Sequence, residues 1–178
     1  MPGRLLRQAA LLAVLVTADA AVAESAPSPM APEFSASAAS DWLNSPPLKL
    51  ANLRGQVILL DIWALECLSC HRSVPWLLEM EKRYRARGLR VIGVHTPEFE
   101  HEKDRAAVER KVREMGLDHP VMLDNDAAYW RALGNRYWPT FYLLDRAGRV
   151  RGVYIGEMRE ARPETRALEQ QLMALLEE

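Results

Sequence analysis

Apolar residues along this chain fall into short continuous runs separated by longer stretches of mixed polarity. The most continuous run covers residues 57–60, the pattern of a strand that is buried on both faces. A second run covers residues 89–95, and between the two runs Val74, Leu77 and Leu78 recur at helical spacing. A strand, a helix and a strand in this order form a βαβ unit, so we expect the two strands to be parallel.

The rest of the pattern predicts a helix, a strand and another helix after this unit, followed by a hairpin and a terminal helix. These elements are predicted as a helix over 101–115, a strand over 120–123, a helix over 127–133, strands over 141–144 and 149–155, and a helix from Pro163. Before the unit, residues 42–47 are predicted as a turn and residues 48–50 as a short strand. This order indicates an α/β fold with a mixed central β-sheet flanked by helices.

The N-terminal region is predicted to be an export signal followed by a linker. Arg4 and Arg7 precede an apolar run over residues 9–18, and an Ala-Val-Ala cleavage site follows. Export would place the protein in the periplasm or otherwise outside the cytoplasm, and an uncleaved N-terminal anchor is the alternative. The predicted division is a signal peptide over 1–23, a flexible linker rich in Pro, Ser and Ala over 24–40, and the folded domain over 41–178.

Composition and charge limit the possible partners. The chain is 49% hydrophobic, which is enough for one domain with an ordinary core. Its formal net charge is −1, and the sequence contains no run of Lys and Arg. Nucleic acid is therefore not expected as a partner.

The two cysteines of the chain, Cys67 and Cys70, lie between the first predicted strand and the first predicted helix. Two intervening residues let both thiols sit on the first helical turn, where they can close a small disulfide ring. Free N–H groups and the macrodipole at a helix N-terminus favour a thiolate. We therefore predict that Cys67 attacks a partner disulfide and that Cys70, one turn further in, resolves the mixed disulfide.

Two residues of the first strand are further candidates. Asp61 stands among apolar residues, where a carboxylate is costly to bury, and it could accept the proton of Cys70 during resolution. The alternative is an aspartate on an edge strand that reaches water. Trp63 is predicted to pack beside the cysteine turn as a candidate substrate contact, and ordinary core packing would explain it as well.

The same cysteines allow other interpretations. Cys67, Cys70 and His71 form a CxxCH string, which is the attachment signature of c-type haem and would make His71 an iron ligand. A zinc site is a weaker alternative, because no second ligand pair stands at a usual spacing. A purely structural disulfide would restrict the unfolded chain little, since its loop is so short.

Together with Pro75 and Trp138-Pro139-Thr140, the cysteine motif and Asp61 resemble the thioredoxin superfamily. The extra helix and strand at about 100–124 resemble the inserted αβ segment of its exported TlpA/ResA-like branch. Within that branch, the chain most resembles the thioredoxin-like domain of DipZ-type proteins. The segments that carry this likeness are 42–48, 93–99, 123–126 and 135–139.

This resemblance implies a thioredoxin-like fold and a thiol–disulfide oxidoreductase without metal or cofactor. Pro139 is implied to be cis and to face the disulfide, so that the Trp138 backbone receives the substrate's cysteine segment. The implied activity is reduction of protein disulfides, with electrons from a membrane donor of the DsbD/CcdA type. A disulfide oxidant or isomerase is the alternative direction.

Three charged or titratable residues are candidates for tuning the site. Glu66 directly precedes Cys67, where thioredoxins usually carry Trp, and a carboxylate there disfavours the thiolate. His95 and Glu98 follow a strand beside the active-site strand, at the edge where ligands bind in such sheets. His101 and His119 are expected on the surface.

Overall fold

A computed structural model describes residues 28–178 of the chain. The predicted signal peptide over residues 1–23 and the first residues of the predicted linker lie outside the described residues. Among the described helices, none is both long and apolar enough to cross a bilayer.

The structure contains the strands β1 Trp42–Leu43, β2 Val57–Trp63, β3 Leu89–His95, β4 Val121–Leu123, β5 Thr140–Leu144 and β6 Val150–Ile155. They form one mixed sheet in the order β1-β4-β3-β2-β5-β6. The strand β2 is parallel to β3, as the βαβ pattern predicts, and β3 is also parallel to β4; β5 and β6 form the antiparallel hairpin. The strand β1 is antiparallel to β4 at the edge of the sheet.

Helices cover both faces of the sheet. They are α1 Leu68–Tyr84, α2 Arg105–Glu114, α3 Ala128–Leu133 and α4 Pro163–Glu177. Val57 and Leu59 of β2 pack with α1 and α4, whereas Ile58 and Leu60, which point the other way, pack with Tyr129 of α3. The central strand is therefore buried on both faces, and α2 with β4 is the predicted inserted segment.

Three local predictions differ from the structure. Residues 48–50 do not form a strand; instead Leu50–Leu53 is a short 3-10 helix that buries Leu50 and Leu53. Trp42–Leu43, predicted as a turn, pairs with β4. The helix predicted from residue 101 begins at Arg105, because the side chain of Asp104 accepts a hydrogen bond from the backbone N–H of Ala106 and caps it there.

The described part of the predicted linker is packed on the domain. Met30 forms a β-bridge with Arg149, and Phe34 is 8% exposed with its ring edge-on to Trp42 at 5.4 Å. The backbone N–H of Ala31 donates to the carbonyl of Gly148 at 3.0 Å. The packed domain therefore extends past the predicted boundary at residue 41, because these apolar side chains and backbone groups find partners on the sheet.

Candidate active site

The two cysteines lie where β2 ends and α1 begins. Cys67 is the N-cap residue of α1 and forms a disulfide with Cys70, with the two Cα atoms 5.2 Å apart. Sγ of Cys67 accepts a hydrogen bond from the backbone N–H of Cys70 at 3.2 Å and lies 3.5 Å from Oγ of Ser69. These donors and the positive end of the helix dipole would stabilise a thiolate at Cys67 once the disulfide is reduced.

The two sulfurs differ in their access to solvent. Cys70 is 5% exposed and belongs to an apolar cluster with Trp63, Val74 and Val121. Cys67 is half-buried and borders the same cluster. A partner disulfide therefore reaches Cys67 before it can reach Cys70.

Asp61 is buried in the central strand rather than on an edge. It is 6% exposed, and β2 lies between β3 and β5. Asp61 and Trp63 point to the same face of β2, and Trp63 packs with Cys70. Burial raises the pKa of Asp61 to about 7, against a smaller lowering by the charge of His119. Its carboxyl can therefore gain or lose a proton near neutral pH, and the edge-strand alternative is wrong.

The loop before β5 carries the proline that the resemblance implied to be cis. The peptide bond between Trp138 and Pro139 is cis. The ring of Trp138 packs against the apolar cluster that holds Cys70, and its Nε1–H donates to the carbonyl of Thr96 at 3.1 Å. The main-chain N–H and C=O of Trp138 have no main-chain partner within residues 28–178.

Trp63 and His95 are too buried to contact a protein substrate. Trp63 is 1% exposed, and the His95 ring is fully buried with its centroid 4.9 Å from that of Trp63. Burial lowers the pKa of His95 to about 4, so its imidazole is neutral at physiological pH. The prediction that Trp63 binds substrate is therefore wrong, and so is a substrate contact for His95; both rings pack beneath the cysteine turn.

The turn before Cys67 is tied to the loop after β3 by a buried carboxylate that the sequence analysis missed. Glu102 is fully buried and accepts hydrogen bonds from the backbone N–H groups of Glu66 at 2.8 Å and Glu98 at 2.6 Å. The side chain of Glu66 is turned outward, with Oε1 2.8 Å from Nε2 of His101. Glu98 is exposed, and its structural contribution here is this backbone contact.

His71 is held against the same turn. Its Nε2 lies 2.9 Å from the backbone oxygen of Leu65, and burial lowers the pKa of its imidazole. The ring therefore contributes to the packing of the turn that positions Cys67.

A second buried histidine lies close to Asp61, contrary to the surface position expected for His119. Its side chain is fully buried, and its Nδ1–H donates to Oε2 of Glu81 at 2.9 Å. Two signals in the sequence pointed to this pair. Glu81 occupies the inward face of α1, in register with Val74 and Leu77, and Gly93 interrupts a buried strand, which indicates a close approach by another group.

A cysteine pair at the start of a helix, set on a mixed sheet with this strand order, defines the class of thioredoxin-like thiol–disulfide oxidoreductases. Residues 26–172 match the Redoxin family, and the chain belongs to that family. Two relatives, YkuV and ResA, are named thiol-disulfide oxidoreductases, which favours the disulfide interpretation of the cysteine motif over the haem and zinc interpretations.

Relatives are found among both longer and shorter proteins. The chain is 44% identical over 119 residues to Protein DipZ of Mycobacterium tuberculosis, covering 65% of this chain but 17% of DipZ. It is 27% identical over 115 residues to the thiol-disulfide oxidoreductase YkuV of Bacillus subtilis, covering 65% and 77% of the two chains. A crystal structure of a candidate thiol:disulfide interchange protein DsbE from Chlorobium tepidum superimposes with a TM-score of 0.70 at 29% identity, over 84% of this chain and 96% of the other.

Proposed function

We propose that this chain is an exported reductase of protein disulfides. The observation that carries the proposal is the unequal burial of the two cysteines, combined with a buried acid, Asp61, whose pKa lies near neutrality. Cys67 is accessible at the start of α1, Cys70 is sheltered, and Asp61 is buried on the same face of the sheet. This arrangement suits an attack by one sulfur followed by resolution by the other.

In the first step, the Cys67 thiolate attacks a substrate disulfide and one substrate sulfur leaves as a thiolate. In the second step, Cys70 loses its proton to Asp61 and attacks Sγ of Cys67, which closes the Cys67–Cys70 disulfide and releases the other substrate sulfur. Two electrons pass from the cysteine pair to the substrate disulfide. A general base is most effective when its pKa lies near the working pH, so Asp61 is suited to accept the proton in the second step.

The surface around Cys67 suits an extended protein segment as substrate. Leu68 is 68% exposed and Tyr137 is 56% exposed, so apolar side chains stand beside Cys67 and beside the cis proline loop. The main-chain groups of Trp138 are free to pair with a strand of the substrate. Proteins that carry a disulfide in such a segment are therefore the proposed substrates, with Trp138 and Pro139 as the binding residues.

Export and the source of electrons complete the proposal. The basic residues and apolar run within residues 1–23 support export, and an oxidising compartment requires a donor that keeps the cysteines reduced. The donor that we propose is a membrane protein of the DsbD/CcdA type, which is the donor implied by the resemblance to the TlpA/ResA-like branch. Fusing residues 1–40 to a reporter that is active only after export tests the location; a reporter retained in the cytoplasm contradicts it.

The roles of the cysteines are tested by trapping. Cys70→Ser should accumulate mixed disulfides through Cys67 when it is incubated with oxidised protein substrates, because the resolving thiol is absent. Cys67→Ser should trap few, because its remaining thiol is buried. Non-reducing electrophoresis with mass spectrometry measures both, and the reverse pattern contradicts the assignment.

The direction of the reaction is tested by the reduction potential of the domain in glutathione or dithiothreitol buffers. A value near that of thioredoxin, about −270 mV, fits a reductase. A value near that of DsbA, about −120 mV, assigns the chain to disulfide oxidants instead.

A further inference from the structure

Two buried nitrogen atoms face the position of Gly93, the residue that pairs with Asp61 in the parallel register of β2 and β3. A Cβ atom at Gly93 would lie 3.3 Å from Nε1 of Trp63 and 3.6 Å from Nε2 of His119. Both nitrogens, and also Oδ1 of Asp61, are buried without a hydrogen-bond partner in the part of the chain that the structure describes. Glycine at this position therefore leaves room for groups from β2 and from the segment before β4 to approach each other.

The other ring nitrogen of His119, Nδ1, contacts a residue that reaches solvent. Its Nδ1–H donates to Oε2 of Glu81, a residue of α1 whose side chain is 11% exposed. Glu81 lines a surface cleft of about 280 Å³ together with Lys82, Arg85 and Asp118. One ring nitrogen of His119 thus faces the interior near Asp61, and the other binds a carboxylate that borders water.

The charged groups around His119 come from three elements. Asp61 on β2 pairs with Gly93, whose position Nε2 of His119 faces, and Glu81 binds Nδ1 from α1, while Asp118 precedes His119 in the chain and is exposed. Lys82 and Arg85 are also exposed and stand on the outer side of Glu81. The imidazole therefore lies between two carboxyl groups, which is an arrangement in which a histidine can take a proton from one side and release it on the other.

We propose that His119, held by Glu81, is the proton partner of Asp61 and carries the proton of Cys70 from the buried acid to the cleft beside α1. The proposal rests on the function proposed above and makes His119 and Glu81 positioning residues, since they act through Asp61.

The proton is accounted for at each step. Cys70 gives its proton to the Asp61 carboxylate as its sulfur bonds to Sγ of Cys67, and the substrate sulfur leaves with the electron pair of the broken S–S bond. Asp61 then passes the proton to Nε2 of His119, across the space that Gly93 leaves open. The proton on Nδ1 moves to Glu81 and from there to water in the cleft, and the substrate thiolate is protonated by solvent.

The test uses dithiobis(nitrobenzoate), whose two halves are released as coloured thiolates when the reduced full-length chain reacts with it. Attack by Cys67 releases the first half and resolution by Cys70 releases the second, so stopped-flow absorbance separates the two steps. His119→Asn keeps a donor for Glu81, because the Asn amide can replace Nδ1–H, but it removes Nε2. We expect the rate of the first step to stay within about twofold of the wild-type rate. In the pH–rate profile of the second step, the rising limb should move to a higher pH by about one unit.

A double-variant cycle separates proton coupling from a purely structural role. If His119 acts through Asp61, then His119→Asn slows the second step about tenfold below neutral pH in the wild-type background and has no further effect in the Asp61→Asn background. Equal slowing in both backgrounds, or an unchanged pH profile, overturns the proposal. If Asp61→Asn itself leaves the second step unchanged, the function proposed for Asp61 fails instead.

A second pair of variants keeps the test decisive if His119→Asn does not fold. Glu81→Gln removes the outer proton acceptor and should slow the second step only when Asp61 is present. The matched control is Glu79→Gln, the same change on an exposed residue of α1 that pairs with Arg83, and it should change neither step. Identical behaviour of the two glutamate variants overturns the proposal.

Discussion

The two sulfurs of one disulfide lie in opposite surroundings. Cys67 caps a helix, receives a hydrogen bond from the backbone N–H of Cys70 and borders solvent, whereas Cys70 is sealed among Trp63, Val74 and Val121. On the solvent side the neighbouring charges are exposed, and on the buried side they are enclosed. Because charges in water are screened and buried ones are not, the same kind of substitution should act strongly near Cys70 and weakly near Cys67.

The largest effect is expected on the buried side, in the stability of Asp61→Asn. Burial raises the pKa of Asp61 from 3.8 to about 7, so between these pH values the native protein holds a proton that the unfolded chain releases. The stability of the wild type therefore falls through this window as pH rises, and the variant lacks this loss. Above neutral pH the variant should be more stable by up to about 4 kcal/mol, with no difference below the unfolded pKa.

Denaturant unfolding of the oxidised proteins across this pH range measures the difference. The matched control is Asp41→Asn, which replaces a partly exposed carboxylate that accepts a hydrogen bond from Ser40 outside the active site, and it should show no such trend. A stability difference between Asp61→Asn and wild type that is constant with pH contradicts the burial argument.

The next largest effect is kinetic. Asp61→Asn removes the base that accepts the Cys70 proton, so the second step with dithiobis(nitrobenzoate) should slow by about 100-fold at neutral pH, the lower end of what a general base contributes. The first step should stay within about twofold, since Cys67 does not depend on this base. Equal slowing of both steps would show that the two sulfurs share one environment and would contradict the contrast between Cys67 and Cys70.

The smallest effect is expected on the solvent side, for Glu66→Gln. The Glu66 side chain is exposed and turned toward His101, so its charge is screened from Cys67. Removing it should speed the first step by less than about threefold and leave the second step unchanged. A change of more than about tenfold would mean that Glu66 acts directly on the thiolate, and repeating the measurement at high salt identifies the part that is electrostatic.

The main elements of the fold were predictable because their patterns are local and strong. Residues 57–60 read as a doubly buried strand, and the hairpin and terminal helix carry clear turn and cap residues. The strand Trp42–Leu43 was missed because a two-residue strand has no periodicity of its own and forms only where β4 offers an edge. The 3-10 helix at Leu50–Leu53 was missed because four residues are too few to show a helical period.

The site was predictable where chemistry and spacing coincide in the sequence, as in Cys67, Cys70 and Asp61. His119 and Glu81 are 38 residues apart and meet only after α1 packs on the sheet. Glu102 likewise binds the amide of Glu66 across 36 residues. Such contacts leave only indirect traces, such as a charged residue on an inward helix face or a glycine inside a buried strand.

The packed segment at residues 28–34 determines where the preceding part of the chain joins the domain. The carbonyls of Ser28 and Pro29 bind Arg149 and Val150 beside the β5–β6 turn, and Leu144 at that turn pairs with Ile58 at the start of β2. The disulfide follows the other end of β2, a strand of seven residues whose two ends lie roughly 20 Å apart. The chain that precedes residue 28 therefore joins the domain near the end of β2 that is opposite to the disulfide, which leaves the face around Cys67 clear of the point of attachment.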